Sequence, residues 1–517
     1  MSTINYYNKK NQTQLLGLVS GLGGLVLMLA SSLSGIADSA IMWTALALMS
    51  FGIIIYSIGT YKDKLHGIHN DGVWYMSVSN RSLLAWLLGV IITGFYILLY
   101  FKPELLGQGA DDMPNTGLVA FFDPLSMFLK GKPASQWFVY GTLYTVAIIG
   151  FGFKFILKYR GNRYQTLRTL SVMFFQLGFA FLIPSIMEGF NYPYYDAKNM
   201  WPLNYYFFND RNINGFLSAG NFGLFMLILG LLLIFLISPI LTYFYGKRWY
   251  CSWVCGCGGL AETAGDPFRH LSSKSTSSWK IERWLIYMVL AFSIIMTVAV
   301  VYSNIYNHRY ELNLQPIFLV LFVTVIAIIS LYFMWVKAGK YFSQHELLKK
   351  GVTIAISLIL AIIWISYFTK SSNAFFIDSN QLNSIYGFYI GSIFSGVIGV
   401  GFYPIMGSRV WCRFGCPMAA ILGLQQKFFS RFRITTNGGQ CISCGNCSNY
   451  CEMGIDVRSY AQRGENIIRS SCVGCGICAS VCPRGVLRLE TGKLDITDKS
   501  KDMSVIKITE SGVSLEQ

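Results

Sequence analysis

Ten stretches of about 20 apolar residues recur along this 517-residue chain, near 14–34, 40–60, 83–101, 137–157, 169–187, 221–245, 284–303, 316–336, 352–370 and 385–406. Each is long enough to carry a helix across the roughly 30 Å hydrocarbon core of a bilayer. In lipid every backbone amide needs a partner within the protein, and a helix supplies those partners locally. The pattern therefore predicts an all-α polytopic membrane protein of about ten transmembrane helices. Composition agrees, with 53% hydrophobic and only 13% charged residues.

Lys and Arg in the connections set the orientation. Segments 1–13, 61–82, 154–168, 246–283 and 337–350 hold 20 basic residues, whereas 35–39, 102–136, 188–220, 304–315 and 370–384 hold 7. The first set is expected to face the cytoplasm, with both termini inside. The formal net charge of +16 is thereby explained by helix ends on one side of a membrane, and nucleic-acid binding is excluded as a reading. Lys9 and Lys10 precede a first apolar run longer than a usual signal core, so that run is read as a retained helix.

Eight of the thirteen cysteines form two runs of one shape, C-x2-C-x2-C-x3-C: Cys441, Cys444, Cys447, Cys451 and Cys472, Cys475, Cys478, Cys482. This spacing lets three thiolates wrap one iron–sulfur cubane while the fourth reaches its neighbour. Crossed ligation would give Cys441, Cys444, Cys447 and Cys482 to one 4Fe-4S cluster. Cys472, Cys475, Cys478 and Cys451 would hold the second. Zinc sites rarely crowd three cysteines so closely, and a disulfide framework needs an oxidising compartment. The second run ends Cys482-Pro483 as the bacterial pattern does, but the first ends Cys451-Glu452. The chain thus divides into a transmembrane domain over 1–436, a small α+β dicluster bacterial-ferredoxin domain over 437–490, and a polar tail over 491–517, part of which could pair as a strand.

The remaining cysteines lie in connections. Cys251, Cys255 and Cys257 follow the sixth span, and Cys412 and Cys416 follow the tenth. Both places read Gly, basic residue, aromatic, Cys, three residues, Cys, which implies an internal four-helix repeat (spans three to six and seven to ten) of the parallel kind. On a helix, cysteines four apart share a face. Two such pairs meeting under the membrane would form a redox or cofactor site, with Lys247, Arg248, Arg409 and Arg413 favouring thiolate. The competing reading is small buried residues at tight turns. Cys257 has no counterpart in the second copy, and Pro417 has none in the first.

These residues carry a resemblance. Gly407-x-Arg409-x-Trp411-Cys412-x3-Cys416-Pro417 after a membrane helix, followed by a dicluster ferredoxin, resembles the membrane polyferredoxins of the NapH, NosR and CcoG type. The resemblance is specific over 407–483, weaker over 246–260 and slight elsewhere. It implies a bacterial inner-membrane subunit, of quinol-dehydrogenase-like oxidoreductase character, that relays electrons between the quinone pool or a membrane partner protein and the clusters. Relatives of that type serve periplasmic nitrate reductase, nitrous oxide reductase and copper oxidase assembly. The rival readings are a thiol- and cluster-dependent copper reductase or assembly factor, with an additional metal at the C-x3-C motifs, and a redox sensor.

All five histidines, His66, His69, His270, His308 and His345, lie in connections, which argues against a bis-histidine haem pair. The aromatic segment 188–208 reads as an interfacial belt with a partner-facing loop. Alternatively it walls a quinol pocket in which Glu188, Asp196 and His308 accept protons. Gln176 within the fifth span predicts an interhelical hydrogen bond, and Pro184 a kink. Asp111-Asp112 and the amphipathic piece Phe121 to Leu129 predict a loop along the membrane surface.

Overall fold

The computed structural model describes residues 12–62, 80–110, 113–312, 314–337, 346–492, 505–509 and 512–516. Lys9, Lys10, His66, His69, Asp111, Asp112 and His345 lie outside the described residues.

Nine helices among the described residues are long and apolar enough to cross a membrane. They are α1 (Gln12–Ser34), α2 (Ser39–Tyr61), α3 (Leu83–Phe101), α4 (Gln136–Lys158), α5 (Arg163–Gly189), α6 (Gly220–Tyr245), and, after two short helices, α9 (Thr276–Tyr306), α10 (Pro316–Val336) and α11 (Glu346–Phe368). Polar caps fix several starts: Asp38, Ser135, Asn162 and Ser275 each accept an amide of the first turn. The expected tenth span differs. Its helix, α12 (Ser379–Tyr386), begins in the polar run Ser379-Asn-Gln, widens into π turns over Gly387–Ile398, and breaks before Tyr403. This helix is not among the nine, because its polar first turns dilute its apolar run.

In α5 the segment Phe175–Leu182 is also π-helical, and the Ile183 amide reaches back to the Gly178 carbonyl. Pro184 follows and cannot donate, so the wide turns re-pair the backbone around it. Gln176 at the midpoint of α5 donates to Thr145 of α4 at 3.1 Å, the interhelical bond its sequence position predicts.

The connection 102–136 contributes Val119, Phe121 and Phe122 to a core with α1–α4, and its short helix Asp123–Lys130 buries Leu125. Asp123 holds the loop by accepting from Asn115 at 2.8 Å and the Ala134 amide at 2.7 Å.

The C-terminal unit begins before 437. Strand β1 (Arg433–Thr436) pairs antiparallel with β2 (Leu487–Glu490), Arg433 opposite Glu490 and Thr436 opposite Leu487, so both cysteine runs lie between two paired strands. In the tail, β3 (Val505–Thr509) pairs antiparallel with β4 (Gly512–Glu516). One apolar core runs from Tyr195, Met200 and Phe207 in the 190–219 connection, through Tyr250, Cys251, Cys255, Trp411, Cys412 and Cys416, to Val473, Ile477 and Val481 of the ferredoxin unit.

Candidate iron–sulfur sites

The two C-x3-C motifs have one local design. After Gly246 (φ +66°) and Gly407 (φ +101°), each chain segment turns into a very short helix, α7 (Arg248–Cys251) and α13 (Val410–Phe414). Both glycines occupy conformations that a side chain strains. A break follows, and the second cysteine opens another helix, α8 (Gly256–Thr263) and α14 (Pro417–Phe429). The cysteines therefore flank a helix–turn–helix break and do not share a face of one helix, as four-residue spacing predicts. The break aims an amide at the second sulfur: Ala419 N–H donates to Cys416 Sγ at 3.4 Å, and Gly258 N–H does the same for Cys255.

The motifs also turn inward from the helix ends. A Cβ on Gly256 would lie 2.7 Å from Gln176 Oε1, and one on Gly259 would lie 2.2 Å from Val172. Gly256-Cys257-Gly258-Gly259 therefore lets α8 slide back against the middle of α5. Cys251, Cys255, Cys412 and Cys416 are all buried in the one core.

Burial, not the flanking cations, dominates most of these thiols. It pushes Cys251 up to about 12 against the pull of Lys247, and Cys255 and Cys412 add to the rise. Cys412 and Cys416 are raised for the same reason. Cys255 moves the other way, held low first by a hydrogen bond with Cys257 and then by the Gly258 amide, Lys198 and Arg409, against its own burial. The unmatched Cys257 thus has a role as donor to Cys255. The expectation that four cations favour thiolate holds for Lys247 and Arg409 only. Arg248 stacks between Tyr164 and Phe432, and Arg413 pairs with Glu282 at 2.7 Å.

Behind the thiols lies a seam of buried charge that the sequence reading missed. Arg409 Nη1 donates to the Cys251 carbonyl at 3.2 Å and lies 3.7 Å from Cys412 Sγ. Its Nη2 meets Glu262 at 2.5 Å and Glu452 at 3.0 Å. Arg168 closes on the other Glu262 oxygen, and Arg269 joins Glu452 at 3.5 Å to Asp266 at 3.3 Å. Lys158 completes the chain on Asp266 at 2.6 Å. All seven side chains are buried. Burial alone would raise the Glu452 carboxyl, but Arg409, Arg269 and Arg168 hold it below its ordinary value. Oxygens of Glu262 and Glu452 and the Cys475 sulfur lie within 4.8 Å of one another. Three guanidiniums already occupy those carboxylates, so a cation would have to displace them.

In the ferredoxin unit, Cys441, Cys444, Cys447 and Cys482 line one small cavity. That grouping is the donor set expected from crossed ligation, and four soft thiols around one void suit a cubane. This run faces outward, with Cys444 exposed. The other loop is clamped to the membrane helices. Tyr164 donates to Gly474 O at 2.9 Å, Gln165 to Cys475 O at 2.9 Å, Ser252 to Val473 O at 2.8 Å and Gln426 to Cys472 O at 2.8 Å. Cys451 and Cys472 act on one another electrostatically, and burial raises Cys451 to about 11.

At the other end of α5, the 190–219 connection folds inward, burying Tyr195, Met200 and Phe207, where an interfacial belt was one expectation. Lys198 reaches Gln176 Oε1 at 2.6 Å, and its carbonyl accepts from Tyr250, the neighbour of Cys251, at 2.7 Å. Asp196, Tyr194, Asn199, Asn204 and Tyr206 line a polar cleft of about 490 Å3. Burial raises the Asp196 carboxyl to about 6 against the opposing pull of Lys198. Glu188 and His308 do not line this cleft: Glu188 pairs with Lys130 at 2.6 Å, and His308 follows the end of α9.

Comparison with known proteins bears on the same segments. A family model described as a 4Fe-4S binding domain matches twice, over 227–275 and 388–435, each time across one C-x3-C motif. A model described as a 4Fe-4S dicluster domain matches 440–487. Over 54 residues the chain is 37% identical to a protein of Escherichia coli (strain K12) called putative electron transport protein YccM. The match covers 10% of this chain and 15% of that relative's length. No solved structure matches. The chain therefore combines 4Fe-4S ferredoxin-type domains with helices able to span a membrane.

Proposed function

We propose that this chain is a multi-pass membrane electron conduit in which Cys251, Cys255, Cys412 and Cys416 hold a third iron–sulfur cluster between a membrane-side donor and the ferredoxin domain. The observation that carries the reading is the contact chain from Cys412 Sγ through Arg409 to Glu452, whose carboxylate lies within 4.8 Å of Cys475 Sγ. Two thiol sites joined by two side chains, inside one buried core, suit electron passage without a mobile carrier.

In the ferredoxin domain, Cys441, Cys444, Cys447 and Cys482 would hold one cluster. Cys451, Cys472, Cys475 and Cys478 would hold the other. Bound iron–sulfur clusters supply one-electron chemistry. The protein's own groups set its terms: helix amides and Cys257 donate toward sulfur, Arg409 and Lys247 supply positive charge, and the buried core excludes water. The family description at both motifs supports cluster binding there, and the name of the E. coli relative supports electron transport.

The donor in this reading is a quinol entering the cleft beside Asp196, with the bacterial inner membrane as its setting and both termini cytoplasmic. The support is the Lys198–Tyr250 link, which ties that cleft to the C-x3-C site. Kinship with polyferredoxins of the NapH, NosR and CcoG type belongs to the same proposal.

Anaerobic purification with iron and acid-labile sulfide analysis tests it. About twelve of each per chain supports three clusters. About eight, with copper or free thiols at the C-x3-C site, sinks the conduit and favours the copper-handling alternative.

A further inference from the structure

The first cysteine run closes with Cys451-Glu452, where the second closes with Cys482-Pro483. We propose that Glu452 is a positioning residue that locks the Cys451/Cys472/Cys475/Cys478 site of the ferredoxin domain against the four-thiol site and sets the electrostatic field the two share. The inference rests on the reading above, in which both sites bind clusters.

A proline there would bring no charge. Glutamate instead places a carboxylate in a fully enclosed position, which is costly unless the charge is answered. Arg409 and Arg269, both from the membrane domain, answer it at 3.0 and 3.5 Å. Neither carboxylate oxygen makes a hydrogen bond of good geometry, so the side chain acts through its charge. The backbone is held as well: Ser272 donates to the Glu452 carbonyl at 2.7 Å. Two residues on, Gly454 sits so close that an added Cβ would lie 2.3 Å from Ser273 O and 2.5 Å from Arg413. Segment 451–454 is thus a wedge inserted between 269–273 and 409–413.

The charge count gives the wedge its second effect. Lys154, Lys158, Arg168, Arg269 and Arg409 face Asp266, Glu262 and Glu452, leaving two positive charges in excess. Sites built from four thiolates are electron-rich, so nearby positive charge favours their reduced form. Removing the Glu452 charge raises the excess to three. The potential of the docked cluster then moves upward, and Arg409, relieved of one partner, is less firmly held against Cys412.

The test compares Glu452→Gln and Glu452→Asp in the full-length holoprotein by redox titration followed by EPR, and by hydrogen exchange of the 451–457 amides. Glu452→Gln should raise the midpoint potential of the docked cluster, leave that of the outward cluster in place, and speed exchange at least tenfold. Glu452→Asp keeps the charge but is one methylene short of bridging both arginines. It should hold the wild-type potential and still speed exchange.

Unchanged potential and exchange in Glu452→Gln would overturn the proposal, as would equal displacement of the potential in both variants. If Glu452→Gln does not assemble, Glu452→Asp alone decides: wild-type potential with faster exchange supports the proposal, and wild-type exchange overturns it. Failure of the conduit reading looks different, because it appears as about eight irons in the unmutated protein.

Discussion

Arg409 and Glu452 lie 3.0 Å apart in a seam closed to solvent, one at the second C-x3-C motif and the other beside the last cysteine of the first ferredoxin run. Their contact makes the membrane and ferredoxin parts one body. Removing one member of such a pair leaves the other charge buried and unanswered, at a cost of about 3–5 kcal/mol. Arg409→Leu would leave Glu452 with Arg269 as its ion-pair partner and Glu262 with Arg168, and would cut the link between the two carboxylates. The expected outcome is release of the ferredoxin unit, seen as rapid protease cleavage within 430–437 where the unmutated protein resists. Cleavage at the unmutated rate would show that the backbone contacts of Ser252, Gln165 and Gln426 suffice.

The cysteine assignments are separable by iron content. Cys412→Ser with Cys416→Ser should lower iron from about twelve to about eight per chain while both ferredoxin EPR signals persist. The loop holding Cys472, Cys475 and Cys478 is fixed by four hydrogen bonds from the membrane domain, and these do not pass through Cys416. Loss of the ferredoxin signals in this variant would mean that the two cysteine sets are not independent.

Exposure separates the two ferredoxin sites. Cys444 is exposed, whereas Cys472 and Cys478 are buried beneath the membrane helices. Oxidative loss of a cluster follows access to its sulfur. Brief air exposure should bleach the Cys441/Cys444/Cys447/Cys482 cluster first, and Cys482→Ser should abolish that early phase. Simultaneous loss of both clusters would contradict the crossed grouping.

Much of this arrangement was legible in the chain. Apolar run length gave nine of the helices, because a span states its need for about 20 apolar residues openly. Cysteine spacing singled out the two ferredoxin runs, and the repeated Gly-to-Cys pattern pointed to the paired motifs. The charged seam was hidden because its members come from five separate segments: Lys158 and Arg168 at helix ends, Glu262, Asp266 and Arg269 after the first motif, Arg409, and Glu452. Read locally, Lys158 and Arg168 look like positive-inside markers. One clue was present, the glutamate standing where a proline closes the other run. The inward turn of α8 was also unreadable as a span, since glycines in Gly256-Cys257-Gly258-Gly259 signal close approach without naming the partner.

Acid stability should expose the far end of the seam. Burial would raise the Asp266 carboxyl, but Lys158 and Arg269 hold it down, to about 2. A depressed folded pKa contributes stability that is complete above the unfolded value near 4 and is lost as pH falls toward 2. The contribution is about 2 kcal/mol. Thermal melts should therefore show a pH 2–4 decline that Asp266→Asn removes, with the variant less stable at pH 7. An unchanged decline would place the acid-sensitive group elsewhere.

The cleft on the opposite side gives the last expectation its sign. Asp196 lines it, accepts the Lys198 amide at 3.1 Å, and has its carboxyl raised to about 6, first by burial. A proton acceptor works in its ionised form, so quinol oxidation at this site should be slow at pH 5, rise through about pH 6 and level off above it. Stopped-flow reduction of the clusters by a menaquinol analogue across pH 5–8 measures this directly. Asp196→Asn should lower the rate at least tenfold and flatten the profile, while iron content stays at the unmutated level. Asp196 is joined to the thiol site through Lys198 and Tyr250, so Tyr250→Phe, which loses the 2.7 Å bond to the Lys198 carbonyl, should slow transfer without moving the midpoint of the pH profile. A profile that keeps its rise near pH 6 in Asp196→Asn would remove the quinol from this cleft.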